Sequence, residues 1–154
     1  MAFTSRVRVR IDAPREAVWP LVADPKAHPR WREELVEMAL EEGEPAAEGA
    51  VYKEVIAVGP RHVVSRFRIT ATEAPARFVF EVFEPEGFPS TNTVRLDPTA
   101  TGCAVEFLSL NRTRGWRRLV DPLWRRLFDK SLERELGNLR DVATRAAGGG
   151  GVQP

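Results

Sequence analysis

Two periodicities divide this chain, and their order is the strongest constraint on its fold. Between residues 50 and 111, short period-two segments alternate with Gly and Pro breakers at intervals of about 8–12 residues, the pattern of an antiparallel meander. From Trp116 the apolar spacing changes to three and four, through Trp124, Phe128, Leu132, Leu136, Leu139 and Val142. A sheet made by such a meander has one apolar face. A single long helix is what remains to cover it.

The first strand is RVRVRI at residues 6–11, with Val7, Val9 and Ile11 inward and Arg6, Arg8 and Arg10 outward. Asp12 offers an N-cap oxygen and Pro14 a first-turn φ for a short helix carrying Val18, Trp19, Leu21 and Val22. Asp24-Pro25 ends that helix, and a second short helical piece is expected to carry Trp31 and Leu35. Strands near 35–42 and 50–58 flank a turn from Gly43 to Gly49. Gly59-Pro60, Ala74-Pro75 and later breakers then separate HVVSRFRITAT, RFVFEVFEP, GFPSTNTVRLDP and GCAVEFLSLN. Asp121-Pro122 opens the long helix and the glycine run from Gly148 is expected to stop it. Gly137, inside the helix, suggests a close strand approach or a bend. The expected organisation is one domain over residues 1–147 and a disordered tail over 148–154.

Hydrophobic residues make up 43% of the 154 and charged residues 29%, an ordinary globular balance. The net charge of +1 excludes a wholesale polyanion binder. No run approaches the roughly 18 apolar residues of a membrane-spanning helix, and MAFTSRVRVR lacks the apolar core of a secretion signal. The lone Cys103 cannot form an internal disulfide, so a cytoplasmic location is expected.

A curved sheet of six or seven strands is wider than one helix, which is roughly 10 Å across. The uncovered volume becomes a cavity unless large side chains fill it. With this order of elements, Ile11-Asp12-Ala13-Pro14, Val18-Trp19, Asp24-Pro25 and Trp31 at the start resemble the START-related helix-grip superfamily (SRPBCC), within it the polyketide cyclase/dehydrase-like group. Glu48-Gly49, Ala74-Pro75-Ala76-Arg77-Phe78, Leu96-Asp97-Pro98, Gly102 and the leucines at 132, 136 and 139 extend the resemblance over nearly all of residues 3–146. It implies an α+β helix-grip fold: a curved antiparallel sheet wrapped around a long C-terminal helix, with two short helices after the first strand. It also implies that Trp19 and Trp31 plug one end of the grip. Members resembling this chain include lipid and quinone carriers, hormone receptors and aromatic-polyketide cyclases, so the likeness does not select an activity.

Strand parity supplies the lining. Tyr52, Glu54, Ile56 and Val58 share one face; then come Ser65, Phe67 and Ile69, followed by Phe78, Phe80 and Val82. Asn92, Val94 and Leu96 follow, with Val105, Phe107 and Ser109 from the last strand and Trp124, Phe128 and Leu132 from the helix. Tyr52, Ser65, Phe67, Phe78, Phe80, Asn92, Phe107, Ser109, Trp124, Phe128 and Leu132 are the candidate ligand contacts. Such an apolar concavity with few polar groups is the make-up of a small-molecule site, and the same residues would equally fill a core. The expected function is therefore binding of a small hydrophobic or amphipathic molecule.

Two alternatives stay open: an interaction module with a filled core, and a cyclase- or dehydratase-like enzyme using Tyr52 and Glu54 as proton-transfer groups. Tyr52 either orients a ligand or bonds to backbone. Glu54 sits at the cavity mouth, turns outward at a bulge, or is buried as a base with a raised pKa. The cyclases that this chain resembles use an arginine and tyrosines inside the cavity, whereas Arg66 and Arg68 fall on the outer face. His28 and His62 lack metal-ligand spacing and are expected at the surface, Cys103 is expected as a small buried residue, and neither a metal nor a cofactor is called for. Finally, residues 111–130 carry Arg112, Arg114, Arg117, Arg118, Arg125, Arg126 and Lys130 against Asp121 and Asp129, a local charge of +5. This is either a solvated face or a contact for an anionic membrane surface. No groove-reading motif points to nucleic acid.

Overall fold

The computed structural model describes residues 3–84 and 89–149. Strand β1 (Phe3–Ile11) leads into helix α1 (Arg15–Ala23) and a 3₁₀ turn at Pro25–Arg30. Six strands follow: β2 (Leu35–Glu42), β3 (Val51–Val58), β4 (Arg61–Glu73), β5 (Arg77–Glu84), β6 (Ser90–Pro98) and β7 (Cys103–Asn111). A second 3₁₀ turn at Gly115–Val120 runs into the long helix α2 (Asp121–Gly149). The strands form one antiparallel sheet in the order β1-β7-β6-β5-β4-β3-β2. Register shifts between β2 and β3 and between β4 and β5 bend the sheet. The helix-grip architecture is the expected one, with seven strands.

Burial follows the parity of the sequence. Along β4, Ser65, Phe67 and Ile69 are buried while His62, Val64, Arg68 and Thr70 are exposed. Leu132, Leu136, Leu139 and Ala143 turn the apolar stripe of α2 onto the concave face. Arg66 stays on the convex face, paired with Glu41 at 2.8 Å and Glu84 at 2.6 Å. Arg68, also convex, lies over the Phe83 ring.

At one end of the grip, Gly102 in the β6–β7 turn lies against the β1–α1 junction. A Cβ there would stand 2.1 Å from the Ile11 carbonyl oxygen and 2.7 Å from the Ala13 nitrogen, so only glycine allows this approach. Trp31 is buried and donates from Nε1 to the Leu21 carbonyl at 2.9 Å, which fastens α1 to the segment after it. Trp19 is half-buried.

Several local expectations are corrected. Pro14, not Asp12, takes the N-cap position of α1, and its carbonyl accepts from Ala17 and Val18. The second helical piece ends at Arg30; Leu35 belongs to β2, where bonding to β3 overrides its local spacing. Helix α2 runs through Gly148 to Gly149, because its backbone ladder carries past the first glycine. Residues 150–154 of the expected tail, and Gly87-Phe88 ahead of β6, lie outside the described residues. No strand approaches Gly137: a Cβ there meets nothing within 4 Å. Gly137→Ala therefore gains helix propensity without a clash, about 1 kcal/mol or roughly 2–4 °C in Tm. Gly102→Ala, measured beside it by thermal unfolding, is expected to lower Tm.

Candidate functional site

The concave face is unevenly covered. Tyr52, Phe67, Ile69, Phe78, Leu96, Val105, Leu136 and Leu139 are at most 2% exposed and form a packed interior. Toward the end where β7 runs into the second 3₁₀ turn, the same inward series open out. On β5, Phe78 is fully buried, whereas Phe80 and Val82 are only half-buried. On α2 exposure rises from 4% at Leu132, through half-buried Phe128, to 41% at Trp124. On the sheet this is the end where Val82 pairs with Ser90 and Ser90 with Asn111, the residue that ends β7.

An aromatic chain floors this region. Tyr52 stacks on Phe67 (5.6 Å), Phe67 meets Phe80 (5.1 Å), and Phe80 meets both Phe78 (5.7 Å) and Phe107 (6.2 Å). Phe80 is the hub, and it and Phe107 are half-buried. Offset and tilted geometries of this kind are the ones aromatic pairs favour. Neutral polar groups stand beside them in register: Asn92 opposite Phe80, and Ser109 opposite Asn92. Asn92 donates to Ser90 Oγ at 2.9 Å and Asn111 to Ser109 Oγ at 3.1 Å. Ser5, across from Ser109, keeps a buried hydroxyl without a partner.

Tyr52 and Glu54 face inward together but serve different partners. The Tyr52 hydroxyl accepts from the Ala46 backbone N–H at 2.9 Å and so pins the β2–β3 turn. Glu54, only 6% exposed, accepts from Arg32 at 2.7 Å. Arg32 also reaches Glu135 of α2 at 3.4 Å. Burial alone would depress the guanidinium, but attraction to Glu54 and Glu135 holds it above its ordinary range. Burial likewise raises the Glu135 carboxyl, against the pull of Arg32. Two residues on, Glu34 pairs with Arg134 and accepts from Ser131 of the same helix. Residues 32–34 thus clasp α2 to β3.

The remaining candidates separate by exposure. Ser65, Asn92, Ser109 and Leu132 are buried with Tyr52, Phe67 and Phe78, whereas Phe80, Phe107 and Phe128 pack half-buried against that core and Trp124 is exposed. Sequence reasoning missed Arg32 and Glu135, whose charged surroundings read as surface; the signal available was that inward Glu54 required a cation. It also missed Ser5, because the expected strand began at Arg6. His62 is exposed as expected, and Cys103 is buried. The expectation of a surface His28 is overturned: the ring is 6% exposed, with Nε2 bonded to the Val22 carbonyl at 2.8 Å under the Trp31 ring.

This architecture, a curved sheet gripping one long helix, defines a helix-grip protein. The chain belongs to the family described as polyketide cyclase / dehydrase and lipid transport, which it matches over residues 2–144. Among solved structures, it resembles TTHA0849 from Thermus thermophilus, with 19% identity, a TM-score of 0.78, and 94% of this chain and 99% of that one covered. It also resembles Ara h 8.0201, with 13% identity, a TM-score of 0.75, and coverage of 93% and 98%. The di-domain ARO/CYC StfQ of the steffimycin biosynthetic pathway aligns at 12% identity and a TM-score of 0.76, over 98% of this chain and 52% of its own. No curated protein matches in sequence.

Two outcomes follow from the clasp and from His28. Arg32→Met leaves buried Glu54 and half-buried Glu135 without their shared cation and is expected to cost about 3–5 kcal/mol in urea unfolding. Burial, aided by Arg32 and opposed by the Val22 bond, Glu54 and Asp24, lowers the His28 pKa from 6.5 to about 4. The unfolded chain therefore binds the proton first as pH falls, and stability present above pH 6.5 is lost toward pH 4. Between pH 7 and pH 5 the His28 contribution is about 2 kcal/mol. Glu135 acts in the opposite sense, so the readout is the difference between wild type and His28→Gln, whose stability is expected to fall less on acidification.

Proposed function

We propose that the protein binds a small hydrophobic or amphipathic molecule in the open part of the grip, against Phe80, Val82, Phe107, Phe128 and Trp124. The observation that carries this reading is the paired loss of cover along β5 and α2. Inward-facing aromatics that a helix leaves half-exposed are unfinished burial, and an apolar ligand completes it at roughly 25 cal/mol per Å². Asn92 and Ser109, neutral and adjacent in register, would orient an uncharged oxygen of the ligand. The membership of the family supports the reading. The basic segment Arg112–Lys130 borders the same opening, so exchange of ligand with an anionic membrane surface forms part of the proposal.

A cyclase- or dehydratase-like reaction has less support. It would need Tyr52 and Glu54 turned to one reacting group, whereas the phenol holds the β2–β3 turn and the carboxylate holds Arg32. A filled interaction module accounts for the packed half of the interior but not for the half-buried aromatics.

Nile red serves as a general hydrophobic probe for the test. The wild-type protein is expected to bind and brighten it, and Phe80→Arg to lose most of that signal with an unchanged far-ultraviolet spectrum. Phe128→Ser, on the half-exposed helix face, provides a milder variant should Phe80→Arg fail to fold. Equal dye binding by wild type and a folded Phe128→Ser would remove the open part of the grip as the site.

A further inference from the structure

Ten large hydrophobic side chains are exposed among the described residues, and five of them fall within twelve positions. Trp116 is 70% exposed, Leu119 84%, Leu123 62%, Trp124 41% and Leu127 53%. On an α-helix Leu123, Leu127, Trp124 and Phe128 span one arc of about 140°. Arg126 and Lys130 flank the leucine side of that arc and Arg125 flanks the phenylalanine side. Arg118 lies in the preceding turn and Arg112 and Arg114 just ahead of it, and all six cations are exposed. The nearby acids are engaged: Asp121 accepts from Thr113 at 2.7 Å, and Asp129 lies 3.9 Å from Arg125. The local charge is +5, so the rest of the chain carries −4 against a total of +1.

We propose that residues 112–130 dock onto an anionic lipid surface, with Leu119, Leu123, Leu127, Trp116 and Trp124 entering the headgroup–acyl boundary and the cations meeting lipid phosphates and carboxylates. The chemistry is that of an interfacial amphipathic helix with a cationic border. Long arginine and lysine stems extend beside the leucines and keep their charges at headgroup level. A second copy of this chain is a poor occupant, because an isologous contact would set one +5 surface against another. Nucleic acid would cover the arginines but leave three exposed leucines without a partner. The apolar arc is continuous with the inner stripe, since Trp124 and Phe128 belong to both. The docked face therefore turns the opening of the grip toward lipid. That last consequence rests on the ligand-binding reading; the docking itself does not.

The test is co-sedimentation with vesicles of phosphatidylcholine alone and of phosphatidylcholine mixed with phosphatidylserine. The wild type is expected to partition onto the mixed vesicles, only weakly onto phosphatidylcholine, and less as salt rises. Leu119→Ser/Leu123→Ser and Arg118→Glu/Arg126→Glu alter exposed positions outside the grip. Each is expected to lower partitioning about tenfold or more while Nile red binding in vesicle-free buffer stays at the wild-type level. Wild-type protein that ignores the mixed vesicles, equal binding to both vesicle types, or variants that bind as the wild type does would each overturn the proposal. So would a concentration-dependent doubling of mass that the leucine variant abolishes, which would assign the face to self-association. Vesicle binding without any Nile red binding would leave docking standing and sink the ligand reading instead.

Discussion

One guanidinium determines how much of this molecule fits together. Glu54 faces inward because its strand does: Tyr52 and Ile56 share its side, and a shift of one residue would expel the tyrosine with it. An unpaired carboxylate in that position would be costly to bury. The chain meets the demand with Arg32 from the connector ahead of β2, and the same side chain reaches Glu135 on α2. A cation bridging two acids from different elements sets their spacing. Its neighbours extend the constraint, since Trp31 bonds back to α1 and Glu34 holds Arg134. Sheet, connector and helix thus meet at one ionic cluster.

That clasp also explains where the interior is closed and where it is not. Helix α2 is held at residues 131–135 and packs from Leu132 through Ala143 onto the concave face. Toward its first turns the stripe becomes more exposed, and the inward residues of both the helix and β5 keep part of their surface. A core able to close over Phe80 and Phe107 would gain several kcal/mol from aromatics of this size. Their partial exposure is the surface that the proposed ligand would cover.

The sheet was legible because period-two alternation and turn residues are local properties, and parity gave most inward sets. It failed at the end of β3, where Val58, read as inward, is exposed while Val51 and Val55 of the other parity are buried. Helix α2 was legible for the same reason. The failures share one physical origin. His28 stands among prolines and basic residues, and nothing local reports that Val22 and Trp31 will enclose it. Arg32, within WREE, looks like solvated charge until β3 and α2 are brought to it. Gly137 suggests a close strand approach or a bend, yet Gly102 is the glycine placed against backbone. What the sequence hides is the long-range pairing of polar groups. Tyr52 illustrates the boundary, since its burial follows from parity but its bond to Ala46 depends on how the β2–β3 turn closes.

The two unfinished surfaces are best understood together. The half-buried aromatics inside the grip and the exposed leucines outside it meet at Trp124 and Phe128, so one apolar surface runs from the interior to the protein's exterior. A continuous surface of that kind would be an aggregation hazard in an uncharged setting. Here the flanking arginines would oppose self-contact and favour anions, a separation of charge that the near-neutral total conceals. On the proposed reading, apolar continuity would give a hydrophobic molecule a path, and the +5 border would select the kind of surface from which that path starts. Neither feature alone would require the other. Their meeting at one end of one helix is the structural reason for treating ligand and membrane as parts of a single function.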